Sequence, residues 1–249
     1  MNIIVNTICW NEEKMLPFFL KYYEQFASEI IVHDNYSTDE SPQIIKKHPK
    51  AKLKHFFTGD KSREDVEIKV KGHAWKKYRR ADWVINVDID EYLYHPDLLG
   101  FLDKCKKKGI TAPTPKGYEM ISDRFPNYGS HIFEQVQWGM RKHKMDKMAI
   151  FDPREIQEVN YGPGCHPPRG PQAHMFQPKG NIVSRRNPDF KLLHFKFLGF
   201  EYVRQRYEVL GARKSQEDIA CTYGMCYFDS ARKLMKRFNK IKANSVKVV

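Results

Sequence analysis

No apolar run in the 249 residues approaches the roughly 20 residues that a membrane-spanning helix needs. Met1 leads straight into Asn2-Ile3-Ile4-Val5, with no basic flank and no small-residue cleavage site, so no secretory leader is expected. Cysteine is scarce: the five residues at 9, 105, 165, 221 and 226 are odd in number and form no Cys-x-x-Cys pair. That pattern implies neither a zinc site nor a disulfide framework, and a reducing, cytoplasmic compartment fits it best. A glycine-rich phosphate loop is also missing after the first apolar segment, where Thr7-Ile8-Cys9-Trp10 stands instead. There is no internal repeat.

What the chain does have is positive charge. Lys and Arg number 43 against 30 Asp and Glu, a formal net charge of +13. Such an excess attracts polyanions: nucleic acid, anionic lipid headgroups or nucleotide phosphates. The clusters at 46–54, 104–108, 141–147 and 232–247 are scattered along the chain, which argues against one nucleic-acid-binding stripe; solvated surface accounts for most of them. Apolar residues at 41% and aromatics at 13% are enough for a sizeable core, and the length suits one large domain with a tail.

Strand and helix signals alternate in the first half. Residues 2–8, 29–33, 53–57 and 83–87 read as strands. Between them, 12–26 reads as a helix on the spacing of Leu16, Phe19, Leu20, Tyr23 and Phe26; Ser41-Pro42 opens a short helix, and 65–79 another. This rhythm predicts an α/β fold with a mainly parallel central sheet flanked by helices. Right-handed crossovers then bring the loops after the first, second and fourth strands to one edge. Pro96-Asp97 opens a further helix. The second half is less regular: strand-like segments within 111–123 and 148–159, a Gly-, Pro- and His-rich loop over 160–177, a short strand at Leu192-Leu193-His194-Phe195, a helix from Phe200, and a last helix over 228–240 with a basic tail.

The sharpest local feature is Trp83-Val84-Ile85-Asn86-Val87-Asp88-Ile89-Asp90-Glu91. A β-branched run of this kind suits a strand buried on both faces, and parallel-sheet proteins bind ligands beyond the carboxyl ends of such strands. Asp88 and Asp90, two apart, share a face of an extended chain. Their oxygens are hard ligands suited to Mn²⁺ or Mg²⁺, ions that pair well with diphosphates. The competing reading is a solvated acidic turn. On the same predicted edge stand Thr7, Asn11 and Glu12, then Asp34, Asn35, Ser37 and Asp39, whose acid and amide groups suit ribose hydroxyls or a base edge. Asn11 is equally a helix cap, and the Asp/Asn/Ser cluster equally a turn.

Val5-Asn6-Thr7 with Asn11-Glu12, His33-Asp34-Asn35-x-Ser37-Thr38-Asp39 and Val87-Asp88-Ile89-Asp90-Glu91 resemble the nucleotide-sugar half of a GT-A glycosyltransferase. The pattern is that of the family-two-like branch with an Asp-x-Asp-Glu motif, which shares features with family ninety-two. The likeness continues in Gly117-Tyr118-Glu119-Met120, Lys147-x-x-Ile150-Phe151, Gly164-Cys165-His166 and Leu193-His194-Phe195-Lys196, over nearly the whole chain. It implies a GT-A (nucleotide-diphospho-sugar transferase) fold, with residues 1–95 forming the nucleotide-sugar half, 96–212 the acceptor half and 213–249 a C-terminal helix and tail. It also implies transfer of a sugar from a nucleoside diphosphate, UDP first among them, to a hydroxyl of a saccharide or glycolipid, with inversion. Asp34 and its polar neighbours would hold the nucleoside, with Ile89 in the donor contacts. Asp88 and Asp90 would hold Mn²⁺ or Mg²⁺, and His194 would complete the metal shell; as a core histidine it would only pack between Leu193 and Phe195. His166 would touch donor or acceptor.

An inverting transfer needs a carboxylate to take the acceptor proton. Glu119, Asp123 and Glu158 are candidates, with Glu119 preferred because it follows Gly117 at a predicted strand end. The family's usual base, an acid often directly after a His, has no counterpart here, since Pro167 follows His166. Glu91 would support the metal ligands. Lys71 would bring a cation to the diphosphate or face solvent. The mixed basic and apolar stretch from Arg232 to Phe238 suits either peripheral contact with a membrane surface or a plain terminal helix. Two rival functions are weaker. A nucleotidyltransferase acting on sugar phosphates would need the missing phosphate loop. A basic nucleic-acid-binding module leaves Asp88 and Asp90 unexplained, so no nucleic-acid partner is expected.

Overall fold

A computed structural model describes residues 1–167 and 177–249. In chain order its elements are β1 (Ile3–Cys9), α1 (Leu16–Tyr23), β2 (Glu29–Asp34), α2 (Ser41–Lys47), β3 (Ala51–His55), α3 (Glu64–His73), β4 (Trp83–Asn86), β5 (Glu91–Tyr94), α4 (Leu98–Lys107), β6 (Thr114–Ser122), α5 (Ile132–Gln135), β7 (Trp138–Arg141), β8 (Ile150–Phe151), β9 (Ile156–Glu158), β10 (Lys179–Gly180), β11 (Arg186–Leu198), α6 (Phe200–Ala212), α7 (Gln216–Ala220), α8 (Ala231–Ala243) and β12 (Val246–Lys247).

One five-stranded sheet runs β3-β2-β1-β4-β8. Its first four strands are parallel, and β8 closes the edge antiparallel to β4. Ile3, Val5, Ile30, Val32, Trp83 and Ile85 are buried there, as expected of strands covered on both faces. Helix α1 packs Leu16, Phe19, Leu20 and Tyr23 into the same core. It is shorter than the 12–26 reading: 12–15 form a turn, with Leu16 N donating to Glu12 O at 2.8 Å. The helix over 65–79 likewise divides into α3 and a 3₁₀ turn over Ala74–Tyr78.

A second five-stranded sheet runs β12-β7-β6-β11-β5. Here the sequence reading is corrected. The acids of 88–91 do not simply end a strand: Glu91 opens β5, which leaves the first sheet to pair antiparallel with β11. Two tyrosines of α1 hold it there: Tyr22 Oη donates to Leu93 O at 2.5 Å and Tyr23 Oη to Glu91 O at 3.0 Å. The short strand expected around His194 is the 13-residue β11, paired parallel to β6 and antiparallel to β5. His194 is therefore mid-strand, opposite Glu91 on one side and Glu119 on the other. Glu119 also lies within β6 and not at its end.

Helix α8 is capped by Ser230, whose Oγ accepts from Lys233 N at 3.4 Å. Its Leu234, Phe238 and Ile241 pack with Ile121, Phe197, Val203 and Tyr207 in a separate apolar cluster. These three apolar residues of the tail thus face the protein, and its exposed side carries Arg232, Lys233, Lys236 and Lys240 together with Met235. No helix among the described residues is long and apolar enough to cross a membrane.

Candidate active site

The parallel crossovers bring the loops after β1, β2 and β4 to one edge, as the strand rhythm predicts. The β1 and β2 loops are stitched together. Asn11, at a left-handed φ of 51°, donates its backbone N to Ser37 Oγ at 2.8 Å, and its Oδ1 accepts from Thr38 N at 2.8 Å. Asp39 accepts from Glu13 N at 2.9 Å, and Ser41 Oγ accepts from Glu12 N at 2.9 Å. Asp34 is fully buried; its carboxylate accepts from Ser37 N at 2.9 Å and from Ser37 Oγ at 2.5 Å. Asn35 meets Thr58 at 2.7 Å. In the alternative orientation of its amide, Asn35 accepts from Arg213, whose guanidinium lies 3.9 Å from the Trp10 ring centre. Thr7 is buried within β1.

Two adjoining cavities open on this edge. The smaller, about 350 Å³, is bordered by Trp10, Glu12, Glu67, Lys71, Asp88, Ile89, Asp90, Arg206, Arg213 and Lys214. The larger, about 1050 Å³, is bordered by Lys69, Glu119, Lys142, Lys144, Glu158 and Arg237. His166, His194 and Lys196 border both.

Asp88 and Asp90 stand between Ile85 and β5, each facing a cation. Lys71, buried on α3, pairs with Asp88. Burial penalises the charge on Lys71, but Asp88 outweighs it and holds the ammonium well above its usual range. On the other side, Asp90 Oδ2 lies 3.3 Å from His194 Nε2, and His194 Nδ1 lies 3.2 Å from Glu119 Oε1. Burial opposes a charged imidazole there, yet the two carboxylates outweigh it and push His194 up to about 10. Glu119 is buried, with its other oxygen 3.0 Å from Lys142 Nζ and 3.9 Å from Arg237. Burial opposes its charge, but His194 first and then Lys142 and Lys196 outweigh it and hold it below the usual carboxylate range.

Behind the acids, Glu91, expected to support the metal ligands, is in a buried ion pair with Lys147, a pairing the sequence did not indicate. Glu91 accepts from Asp88 N at 3.0 Å and from Lys147 Nζ at 2.6 Å, and the same ammonium donates to Gly164 O at 2.6 Å. Lys147 thereby ties the 164–166 loop to the acidic turn. Arg206 of α6 was also unanticipated; it pairs with Glu12 across 194 positions of sequence. Neither pairing carries a local signal, because each partner lies far along the chain.

His166 borders both cavities, and burial keeps its ring neutral by lowering it to about 4. Its Nδ1 is buried without a partner among the described residues. Gly117 does not open space for an acceptor: a Cβ there would meet Met145 Cβ at 2.1 Å, so its close approach is to the chain's own 142–145 turn. Asp123 borders neither cavity and pairs with Lys242 at 2.5 Å; Glu158 borders the larger one, paired with Lys76 at 2.5 Å. Part of the 160–177 loop, residues 168–176, lies outside the described residues.

A parallel sheet that hands its acidic turn to a second, mixed sheet defines the GT-A class of nucleotide-diphospho-sugar transferases. Within that class the chain belongs to glycosyl transferase family 2, whose profile matches residues 4–162. No curated protein sequence matches it. Among solved structures, S. aureus TarS (residues 1–349) aligns at 14% identity and a TM-score of 0.47 over 86% of this chain and 65% of that one. The same protein in complex with UDP-GlcNAc aligns at 13% identity and 0.46, over 86% and 66%. Glucosyl-3-phosphoglycerate synthase from Mycobacterium tuberculosis, in complex with Mn²⁺, UDP and glucosyl-3-phosphoglycerate, aligns at 22% identity and 0.32, over 47% and 44%. The chain spans less than two thirds of each of these chains.

Proposed function

We propose that the protein transfers a sugar from a nucleoside-diphosphate sugar, with UDP the first nucleotide to test, to an acceptor hydroxyl, with inversion and with a divalent cation. The family assignment supports sugar transfer. The observation that carries the finer reading is Asp88 and Asp90 bordering one cavity with His194 beside them. Residues 1–95 are assigned to the donor and 96–212 to the acceptor, with Arg206 of the second part reaching back to Glu12. Residues 213–249 form the C-terminal helices and tail.

The donor types suit a hard cation, although among the described residues no three of them are arranged around one point. Two carboxylates lie on one turn, and His194 Nε2 is 3.3 Å from Asp90 Oδ2, a spacing that suits two ligands of one ion. Metal-ligating histidines commonly give their other ring N–H to a carboxylate, and Glu119 stands in that position 3.2 Å from His194 Nδ1. Asp88, Asp90 and His194 would hold Mn²⁺ or Mg²⁺. Such an ion supplies charge that stabilises the leaving diphosphate.

The chain's own groups do the rest. Lys71, Arg206, Arg213 and Lys214 border the smaller cavity beside the acids Glu12, Glu64, Glu67, Asp88, Asp90 and Glu91, and are the cations there that a diphosphate could meet. Trp10, with Arg213 stacked on it, offers a flat apolar face to a nucleoside base. In transfer, the acceptor oxygen bonds to the anomeric carbon as that carbon's bond to the diphosphate breaks, and the hydroxyl proton passes to a carboxylate. Glu119 is engaged by His194 and Lys142 and held strongly acidic, which suits orienting His194 better than taking a proton. Glu158 is the other acid on the larger cavity.

Calorimetry with UDP and GDP, with and without MnCl₂, tests the reading. Nucleotide binding that requires Mn²⁺ and disappears in Asp90→Asn is the expected result. Binding that ignores both the metal and the substitution would overturn the metal assignment, and no binding of either nucleotide would overturn the donor class.

A further inference from the structure

The larger cavity is unevenly charged. Lys69, Lys142, Lys144, Lys196 and Arg237 border it, against Glu119 and Glu158. Both acids are already neutralised: Glu119 by Lys142 and His194, Glu158 by Lys76. Lys69, Lys144 and Lys196 have no carboxylate within ion-pair distance among the described residues.

Lys196 is the most telling of the three. It stands on β11 two residues beyond His194, where the two cavities meet. Its ammonium lies 5.3 Å from the Tyr207 ring centre and 4.9 Å from that of Tyr227. Its one hydrogen bond is to Tyr227 Oη at 3.5 Å. A half-buried cation held against aromatic faces keeps its charge, and no carboxylate lies within ion-pair distance of it, Glu119 acting on it only from farther off. Lys69 on α3 and Lys144 after β7 line only the larger cavity, away from the acids expected to meet the donor diphosphate.

We propose that the acceptor carries a fixed anionic group, a phosphate or carboxylate beside the hydroxyl that is glycosylated, and that Lys69, Lys144 and Lys196 receive it. This rests on the assignment of the larger cavity to the acceptor. A neutral saccharide would leave the half-buried Lys196 without an ion-pair partner, whereas an anion there would add charge-assisted hydrogen bonds.

The test is binding to the intact protein with the donor site filled by saturating UDP and MnCl₂. Glucose 6-phosphate, glucuronate and glucose are the probes, so phosphate, carboxylate and neutral ligands are compared on one sugar frame. At least one anionic probe should bind about tenfold or more tighter than glucose, the scale of one charge-assisted hydrogen bond. That advantage should shrink with added salt and be lost in the Lys69→Gln, Lys144→Gln double variant, whose replaced side chains are both exposed. Which probe wins decides between phosphate and carboxylate. Equal affinity for all three probes, or an advantage unchanged in the double variant, overturns the proposal. Failure of UDP to bind would instead count against the donor reading, and the anion titration would still report on the lysines.

Discussion

Asp34 and Glu119 show how one side chain's role depends on which of its atoms are already engaged. Asp34 is a natural candidate for gripping a nucleoside, but both of its oxygens hold Ser37, and Ser37 in turn holds Asn11. Asp34→Ala should therefore lower stability by about 1–3 kcal/mol, the cost of leaving buried polar groups unmatched, and weaken UDP binding as the loop loosens. Denaturant melts and calorimetry measure the two effects; a variant unchanged in both would show that the turn stands without it. Glu119 supports a sharper separation of roles. If it orients His194, Glu119→Gln should weaken Mn²⁺ binding by roughly 10–100-fold. A proton acceptor would behave in the opposite way, losing turnover by about 10²-fold or more with metal affinity intact. Metal titration followed by pre-steady-state turnover at saturating Mn²⁺ distinguishes them, and the second pattern would return Glu119 to the role of base.

At the scale of elements, the acidic turn works because two sheets meet in it. Residues 83–86 belong to the first sheet and 91–94 to the second, so the acids between them sit at the seam. The seam is locked by Glu91 and Lys147, whose side chains are 2% and 1% exposed. Removing one partner of so buried a pair strands the other charge. Glu91→Ala should cost about 3–5 kcal/mol in urea unfolding. Glu91→Gln with Lys147→Met, which removes both charges at similar size, should cost distinctly less. Equal losses would show that packing, not the ion pair, holds the seam. The pair also explains why Lys147 and Gly164, which fall in separate short motifs, belong to one structural unit: the ammonium bridges them.

Across the whole molecule, α8 decides how the basic tail behaves. Its Leu234, Phe238 and Ile241 are spent on the cluster with Phe197 and Tyr207, so its cations and Met235 remain for an external surface. Phe238→Ala should destabilise the protein by about 3–5 kcal/mol, the usual cost of emptying a buried aromatic site. Any binding to anionic vesicles should be unchanged by that substitution and lost at high salt. Vesicle sedimentation that instead depends on Phe238 in the folded protein would mean the helix turns its apolar face outward.

The alternation of apolar strands and amphipathic helices through residue 95, the loops it sends to one edge, and the placing of Asp88 and Asp90 on that edge were all legible in the chain itself. They follow from side-chain periodicity and from the handedness of crossovers, which are local or nearly local rules. The surroundings of those acids were not legible. The switch of β5 into a second sheet, the mid-strand position of His194 between Glu91 and Glu119, the reach of Arg206 to Glu12 and the unpaired charge of Lys196 all depend on partners distant in sequence. Periodicity carries no information about such pairs; burial and electrostatics settle them only once the two sheets have closed on each other.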